Sequence, residues 1–343
     1  MPQRALTENW LDTKLFGEFF QQLNDFVEPF YSIWRRYCLA GLLWYRNFFS
    51  FKKKMQKGSK KKNVRPPQHQ QRPGLEKRMK PQPVFDYPNI KGSDKLKNKI
   101  AFITGGDSGI GKAVAILFAK EGALVAISYL SETKDARDTK RIIENDYGGA
   151  CHLIRGDISK EKNCIKAVKE VVSQYGKIDI LVNNAAIHYE NKRLETITTR
   201  EMLTTFETNI FSYFWITKAA LPYMKKDSCI INSSSVTAYR GSGSLIDYAS
   251  TKGAIVAFTR SLSSNLVKKG IRVNGVAPGP IWTPLIASSF KGKKVAQHGS
   301  DAPMKRAGQP VEIAPSYLFL ATADSSYMTG QFLHPNGGEI ING

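Results

Sequence analysis

A glycine-rich turn near residue 105 restricts the architectures open to this chain. The apolar run Ile100–Thr104 leads directly into the sequence GGDSGIG at residues 105–111, and an apolar, alanine-rich stretch follows it. Glycines in such a turn let the backbone approach a pyrophosphate, and the N-terminus of the following helix adds N–H donors and positive dipole. The spacing Thr-Gly-x3-Gly-x-Gly therefore predicts either a dinucleotide-binding turn or a tight turn without a ligand.

Short apolar runs alternate with longer helical patterns through the rest of the sequence. Nearly continuous apolar strands that alternate with helices are typical of a parallel sheet covered on both faces. We therefore predict an α/β fold, a Rossmann-type doubly wound parallel sheet of about seven strands in three α/β/α layers, with an N-terminal helical or disordered extension. The predicted strands are Ile100–Thr104, Leu124–Ser128, Cys151–Arg155, Asp179–Asn183, Cys229–Ser233, Ile271–Ala277 and Gln331–His334. The predicted helices lie near residues 109–121, 133–146, 160–175, 200–226 and 246–269.

Charge and aromatic content divide the 343 residues into three predicted parts. The net charge is +21, and residues 52–80 hold twelve basic residues against one acidic residue. Residues 1–51 have no net charge but contain 14 of the 37 aromatic residues. Low hydrophobicity with high charge favours extended or disordered chain. We predict an aromatic-rich amphipathic helical extension over residues 1–51 (the head), a basic Lys/Gln/Pro-rich linker over 52–94 (the arm) and a folded body over 95–343.

The head leaves three interpretations open. Its aromatic and apolar residues from Phe16 to Tyr37 recur at helical spacing. It can lie on a membrane surface as an amphipathic helix, with the lysines of the arm attracted to anionic lipid, which predicts peripheral membrane contact through residues 1–62. It can instead pack on a partner or a second subunit, or translation can begin at Met55. No run of 18 uncharged apolar residues is present, so no transmembrane helix is expected.

Composition narrows the expected partners and compartment. The four cysteines form no CxxC pair and no cluster with histidine, so neither a disulfide scaffold nor a metal site is expected. This composition is consistent with a reducing, cytoplasmic location. Lysine runs bind nucleic-acid phosphates without specificity, but no aromatic residues interleave with residues 52–80. We therefore expect no specific nucleic-acid partner.

A phenol and an ammonium group lie four residues apart at Tyr248 and Lys252. On a helix the two share one face, and a nearby cation lowers the pKa of a tyrosine from about 10 toward neutral. Such a tyrosine can protonate a carbonyl oxygen or deprotonate an alcohol. Ser235, at the end of an apolar strand, can donate to the same substrate oxygen or form a local turn. Asn209, in an apolar helix, can hold a water in a proton relay to Lys252 or satisfy a kinked backbone.

Further candidate binding residues follow the predicted strands. Asp157 and Ile158 follow the third strand, and Asp157 can bind an adenine amino group or cap the next helix. The second strand ends near Tyr129 without the aspartate that holds the ribose 2′-hydroxyl of NAD. We therefore expect NADP(H) as the preferred cofactor and NAD(H) as the alternative. The candidate cofactor-binding residues are Gly105, Asp107, Ser108, Gly109, Ile110, Gly111, Tyr129, Asp157, Ile158, Asn184, Ala185, Ala186, Tyr248, Lys252, Pro278, Gly279, Ile281 and Thr283.

In combination, these motifs resemble the short-chain dehydrogenase/reductase family across residues 95–343. The resemblance implies a Rossmann fold, a nicotinamide cofactor and a catalytic tetrad. The tetrad residues are Ser235, Tyr248, Lys252 and Asn209. The resemblance also implies a homo-oligomer, usually a tetramer, which associates through the long helices near 200–226 and 246–269.

Within that family, residues 105–111 and 274–285 are similar to the glucose/ribitol dehydrogenase homologues, which include plant NADPH-dependent aldehyde reductases. This implies an oxidoreductase that transfers hydride between NADP(H) and a small aldehyde, alcohol or sugar-type carbonyl compound. Bacterial members begin with a Gln/Pro-rich arm like Pro66–Pro88, so the arm is expected to belong to the body. Ile187 stands where an acidic residue is expected, which leaves the substrate open. The alternative function is a cofactor-binding regulatory or membrane-associated protein targeted by its basic extension.

Overall fold

The central sheet has seven parallel strands in the order β3-β2-β1-β4-β5-β6-β7. The structure is a computed structural model that describes residues 21–24, 27, 28 and 61–341. The strands are β1 (Ile100–Thr104), β2 (Leu124–Tyr129), β3 (Ala150–Arg155), β4 (Ile180–Asn183), β5 (Cys229–Ser233), β6 (Arg272–Val276) and β7 (Phe332–Leu333). Each strand begins within one residue of its predicted position. The predicted Rossmann-type doubly wound sheet is therefore confirmed.

Helices cover both faces of this sheet. The helices are α1 (Gly109–Lys120), α2 (Thr133–Arg141), α3 (Glu161–Tyr175), α4 (Thr199–Phe206), α5 (Ser212–Ala220), α6 (Thr237–Arg240), α7 (Ile246–Leu266), α8 (Pro284–Ser289), α9 (Gly292–Ala296) and α10 (Pro310–Ala321). Strand side chains alternate between the two faces. Ala101 and Ile103 of β1 belong to the core under α1 and α10, and Phe102 belongs to the opposite core under α3 and α5.

Several helical regions differ from the sequence prediction: the short helices α6, α8 and α9 were not predicted, and the helix expected near 133–146 ends in a π-helical turn, Ile142–Asp146. The sequence does not predict helix α10, because Pro310 and Pro315 interrupt it and its polar residues do not recur at helical spacing. In the structure Pro310 lies in the first turn of the helix and Pro315 lies inside it. The single helix expected near 200–226 is divided. A π-helical turn, Glu207–Phe211, separates α4 from α5.

The described part of the arm, residues 61–94, is extended, as predicted, but it is packed against the body. Val64 N–H donates to Ala296 O (2.9 Å), Gln70 N–H to Ala287 O (2.9 Å) and Val311 N–H to Val84 O (3.0 Å). Met79 is fully buried in a cluster with Trp282, Phe290 and other residues of the body. The expectation that the arm belongs to the body agrees with this packing, in which buried side chains and backbone hydrogen bonds outweigh the arm's high charge.

The chain forms two compact units, Met1–Lys57 and Gly58–Gly343. The second unit therefore includes the arm residues that the sequence assigned to a linker. In the head, residues 21–24, 27 and 28 are helical and exposed, and the remaining residues on which its three interpretations depend lie outside the described ones. Within the described residues, none of the helices combines the length and apolar character that a bilayer crossing needs.

The strand order creates a switch point between β1 and β4. From β1 the chain first adds β2 and β3 on one side of the sheet and then continues with β4 on the other side. Ligands of open α/β sheets bind outside the carboxyl ends of the strands at such a point. Both the glycine-rich turn after β1 and the residues after β4 and β5 meet at this edge.

Candidate active site

The glycine-rich turn has the close packing that its sequence predicts. Gly105 has φ +64°, a left-handed conformation that favours glycine. A Cβ atom on Gly111 would lie 1.9 Å from the carbonyl oxygen of Gly105. Helix α1 can therefore begin this close to the turn only with glycine at residue 111. Asn184 holds the turn from the end of β4, since its Nδ2 donates to the carbonyl oxygens of Thr104 (3.0 Å) and Gly105 (3.2 Å).

A cavity of about 540 Å³ lies at the carboxyl edge of the sheet next to this turn. It brings together all but two of the predicted site residues. The predicted residues that line it are Gly105, Asp107, Ser108, Gly109, Ile110, Tyr129, Asp157, Ile158, Asn184, Ala185, Ala186, Ser235, Tyr248, Lys252, Pro278, Gly279, Ile281 and Thr283. The exceptions are Gly111, which acts through packing, and Asn209, which lies behind the wall.

Tyr248 and Lys252 share one face of α7, as predicted, and both line the cavity. Lys252 is 1% exposed, and its Nζ donates to Ser233 O at 2.8 Å. The same Nζ lies 5.4 Å from the centre of the Tyr248 ring. Ser235 is also buried, lines the same cavity and accepts from Thr237 N–H at 3.2 Å. A hydroxyl, a phenol and an amine thus converge on one wall.

The protonation of this group differs from the sequence prediction. Burial raises the pKa of Tyr248 to about 12, although the neighbouring Ser235 hydroxyl acts in the opposite direction. Burial also lowers the pKa of Lys252 to about 7. Low-dielectric surroundings disfavour the charged form of both groups. The expectation that Lys252 brings the pKa of Tyr248 toward neutral is therefore wrong for this structure, because Lys252 itself loses much of its charge.

Asn209 lies in the π-helical turn and is fully buried. Its Oδ1 accepts from Ile187 N–H (2.8 Å), and its Nδ2 donates to Ile187 O (2.8 Å) and Thr251 Oγ1 (3.2 Å). The Asn209 side chain therefore satisfies the hydrogen-bonding groups of a backbone segment, which was one of the two roles predicted for it. That backbone belongs to the segment after β4 rather than to the irregular helix itself.

The structure excludes one of the two alternatives for Asp157. Helix α3 begins at Glu161 with Lys160 at the N-cap, so Asp157 is not the helix cap. Its Oδ1 instead accepts from Ser159 N–H at 2.9 Å, and the residue lines the cavity. Glu132, which the sequence places late after β2, also lines the cavity. Burial, followed by the charge of Glu132, raises the pKa of Asp107 to about 7.

Three polar lining residues with direct contacts to one another stand out among those that the sequence did not single out. They are Arg72 of the arm and His188 and Tyr189 after β4. The Arg72 guanidinium donates to His188 O (2.7 Å) and lies 4.0 Å from the centre of the Tyr189 ring. Arg72 is 116 residues from His188 in sequence, so no local pattern indicates the contact.

The fold and the site define a class of protein that comparison with known proteins confirms. The family model described as enoyl-(acyl carrier protein) reductase matches residues 105–339. The chain belongs to the short-chain dehydrogenase/reductase family, an oxidoreductase family.

Named relatives give the particular similarity. The chain is 53% identical to NADPH-dependent aldehyde reductase 1, chloroplastic, of Arabidopsis thaliana over 281 residues, which are 80% of this chain and 97% of that protein. It is 51% identical to glucose and ribitol dehydrogenase of Daucus carota over 284 residues, 81% of this chain and 98% of the relative. Both matches are longer than residues 105–343 and so include part of the arm. Among solved structures, a short-chain dehydrogenase from Burkholderia cenocepacia in complex with NADP has a TM-score of 0.67 at 28% identity, covering 71% of this chain and 99% of that one.

Proposed function

We propose that this protein is an NADP(H)-dependent reductase of small aldehydes, which also oxidises the matching alcohols or sugars. The convergence of Ser235, Tyr248 and Lys252 on one wall of the cavity is the observation that supports this most directly. The resemblance to relatives named as an NADPH-dependent aldehyde reductase and a glucose and ribitol dehydrogenase supports the same reaction class.

The cavity residues fit a nicotinamide dinucleotide. Gly105, Ser108 and Gly109 of the turn line the cavity next to the N-terminus of α1, and Gly111 lets that helix begin against the turn. We assign the pyrophosphate to this turn and to Thr283, the adenosine to Asp157, Ile158 and Tyr129, and the nicotinamide end to the residues after β4 and β6. When bound, the cofactor supplies or accepts the hydride. NADP(H) is the preferred form because neither Ser128 nor Tyr129 at the end of β2 brings a carboxylate against a 2′-phosphate.

The residues of the chain handle the proton. Tyr248, with its raised pKa, is protonated in the resting site, so in the reductive direction its hydroxyl can donate a proton to the carbonyl oxygen. Ser235 steadies the same oxygen by a hydrogen bond. Lys252 holds the wall beneath the tyrosine through Ser233 O, and its pKa near 7 lets it return a proton to the phenolate. Asn209 is a positioning residue that fixes the segment beginning at Ile187.

Replacement of Tyr248 tests this assignment. Tyr248→Phe keeps the ring and removes the proton donor, so NADPH oxidation with an aldehyde panel should fall by roughly 100-fold or more, in line with the contribution of general acid catalysis. NADPH binding, followed by nucleotide fluorescence, should be unchanged. Tyr175→Phe is a matched control, because Tyr175 Oη donates to Val125 O at 3.4 Å and the residue does not line the cavity. Undiminished turnover by Tyr248→Phe would refute the role of the phenol.

Association of subunits is a further part of the proposal. Phe211 and Phe214 are 40% and 51% exposed, and the Phe214 ring lies 4.4 Å from that of Phe258 on α7. Such apolar surface favours a homo-oligomer, a tetramer in the simplest case. Light scattering of the purified protein measures its mass directly, and a monomer would contradict this. A cytoplasmic location and membrane contact through residues 1–62 stay predictions.

A further inference from the structure

Charge is unevenly distributed along the walls of the cavity. The carboxylates that line it are Asp107, Glu132 and Asp157, which follow β1, β2 and β3. At the half formed by β4, β5 and the arm, the ionisable lining residues among residues 61–341 are Arg72, His188, Tyr189, Tyr248 and Lys252, with no carboxylate among them. The half of the site in which the reacting carbonyl would lie is therefore the cationic half.

Arg72 is the permanent cation of this half. Burial brings the pKa of Lys252 to about 7, whereas a guanidinium stays protonated throughout the physiological range. No carboxylate among residues 61–341 pairs with Arg72, although neighbouring lysines are paired: Lys294 with Glu190 at 2.6 Å and Lys61 with Asp301 at 3.0 Å. One N–H of Arg72 is used by His188 O and its plane stacks on Tyr189. The other N–H donors of the Arg72 guanidinium are held in place by these contacts and have no anionic partner among residues 61–341.

His188 adds a second unused polar group beside the reacting site. It is 2% exposed, and its Nδ1 has no hydrogen-bond partner within the described part of the chain. Its ring centre lies 5.0 Å from that of Tyr248 and 5.1 Å from that of Phe290. Burial, with Arg72 as the next contribution, lowers its pKa to about 3, so it is a neutral hydrogen-bonding group. No group among the described residues therefore satisfies this buried atom, which lies beside the phenol.

We propose that Arg72 and His188 are specificity-determining residues that select carbonyl substrates carrying a carboxylate or phosphate group. The proposal rests on the aldehyde reductase function proposed above and names its substrate class. The guanidinium binds the anionic group, since charge-assisted hydrogen bonds from a fixed Arg fork are the strong ones. His188 positions this guanidinium through its carbonyl oxygen and packs beside the Tyr248 ring. The arm thereby contributes part of the substrate site.

The phosphates of the cofactor are the alternative anionic ligand for Arg72. The structure favours the substrate, because Arg72 contacts the segment after β4 through His188 and Tyr189. The N-terminus of α1, where a pyrophosphate binds, is approached by the arm through Glu76 instead, whose Oε2 accepts from Gly109 N–H at 2.9 Å. Binding of the cofactor phosphates by Arg72 is an outcome that the experiment distinguishes.

The test compares succinic semialdehyde with its neutral methyl ester, each reduced with saturating NADPH. In the wild-type protein kcat/KM should be higher for the anion. Arg72→Gln should lower the anion-to-ester ratio of kcat/KM by roughly 10- to 100-fold through KM, the size expected for one charge-assisted contact. Arg72→Lys should restore part of the ratio, because it keeps the charge but not the fork. Arg65→Gln is the matched control: Arg65 also donates to a carbonyl, His298 O, and stacks on Trp282, but it does not line the cavity.

An unchanged ratio in Arg72→Gln overturns the proposal. A raised KM for NADPH with an unchanged ratio also overturns it and assigns Arg72 to the cofactor. If the wild type and Arg72→Gln reduce the ester equally, and the wild type has no higher kcat/KM for the anion than for the ester, the aldehyde reductase function stands and the substrate class is wrong. If the wild type reduces neither aldehyde, the proposed function fails, and calorimetric titration with succinate decides the inference: equal affinity of wild type and Arg72→Gln for succinate overturns it.

Discussion

The ion pair between Glu76 and Lys112 should be one of the strongest single links between the arm and the body. The Glu76 Oε1 and Lys112 Nζ atoms are 2.7 Å apart, and the side chains are 5% and 4% exposed. Glu76 also accepts from Gly109 N–H (2.9 Å), and its own N–H donates to Asp135 Oδ2 (2.9 Å). Removing one member of a buried pair leaves the other charge without compensation, which costs about 3–5 kcal/mol. We therefore expect Glu76→Ala to lower the free energy of unfolding by about that amount.

Urea unfolding of the cofactor-free protein measures this change. The pair Lys95–Asp324 is a matched control, because its N–O distance is also 2.7 Å but its side chains are 46% and 49% exposed. Exposed pairs contribute little, so Asp324→Ala should leave the unfolding midpoint within experimental scatter. The double variant Glu76→Leu/Lys112→Leu should be less destabilised than Glu76→Ala, since it buries no lone charge.

Limited trypsin digestion gives a second readout of the same link. Lys77 and Arg78 are exposed residues beside Glu76, and cleavage there requires the arm to leave the surface. Glu76→Ala should therefore accelerate this cleavage, whereas Asp324→Ala should not. If Glu76→Ala proves no more destabilising than Asp324→Ala, the arm is not held by this pair and the reasoning from burial fails.

Two further predictions concern the site itself. The pKa of Lys252 is about 7 in the folded protein against an ordinary 10.5. Between these two pH values the unfolded chain binds more protons than the folded one, so the stability of the wild type should rise from pH 7 to pH 10. The urea midpoints of the wild type and Lys252→Met should therefore diverge over this range, and parallel pH profiles of the two proteins would contradict the argument. Gly111→Ala should abolish NADPH binding in a fluorescence titration, because its Cβ would lie 1.9 Å from Gly105 O. Gly253→Ala, in helix α7 with no atom within 4 Å of the added Cβ, should bind NADPH normally, and equal binding by both variants would refute the packing argument.

Local patterns predicted the sheet and most of the cavity well. Each strand is a short apolar run, and residues such as Gly105, Asn184 and Tyr248 follow a strand or share a helix turn. Contacts between segments that are distant in the chain could not be predicted from the sequence. Nothing in the sequence near Arg72 indicates His188, and α10 is hidden by its prolines.

Protonation was the other property that the sequence did not reveal. The spacing of Tyr248 and Lys252 predicts that they share a face, but it contains no information about how deeply either is buried. Because desolvation acts on both groups, the lysine loses charge and the tyrosine keeps its proton. The pattern thus identifies which side chains meet, while their pKa values depend on the whole surrounding wall.

The position of the arm in the chain has a consequence for biosynthesis. Lys62 bonds to Ser300, 238 residues later, and Val84 pairs with Val311, so the arm leaves the ribosome long before its binding surface exists. At about 5–20 residues per second this interval is roughly 12–50 s. A segment rich in lysine and proline stays solvated and resists aggregation while it has no binding surface. The charge that first suggested a linker thus keeps the arm soluble until the residues on which it packs, such as Ser300 and Val311, have been synthesised.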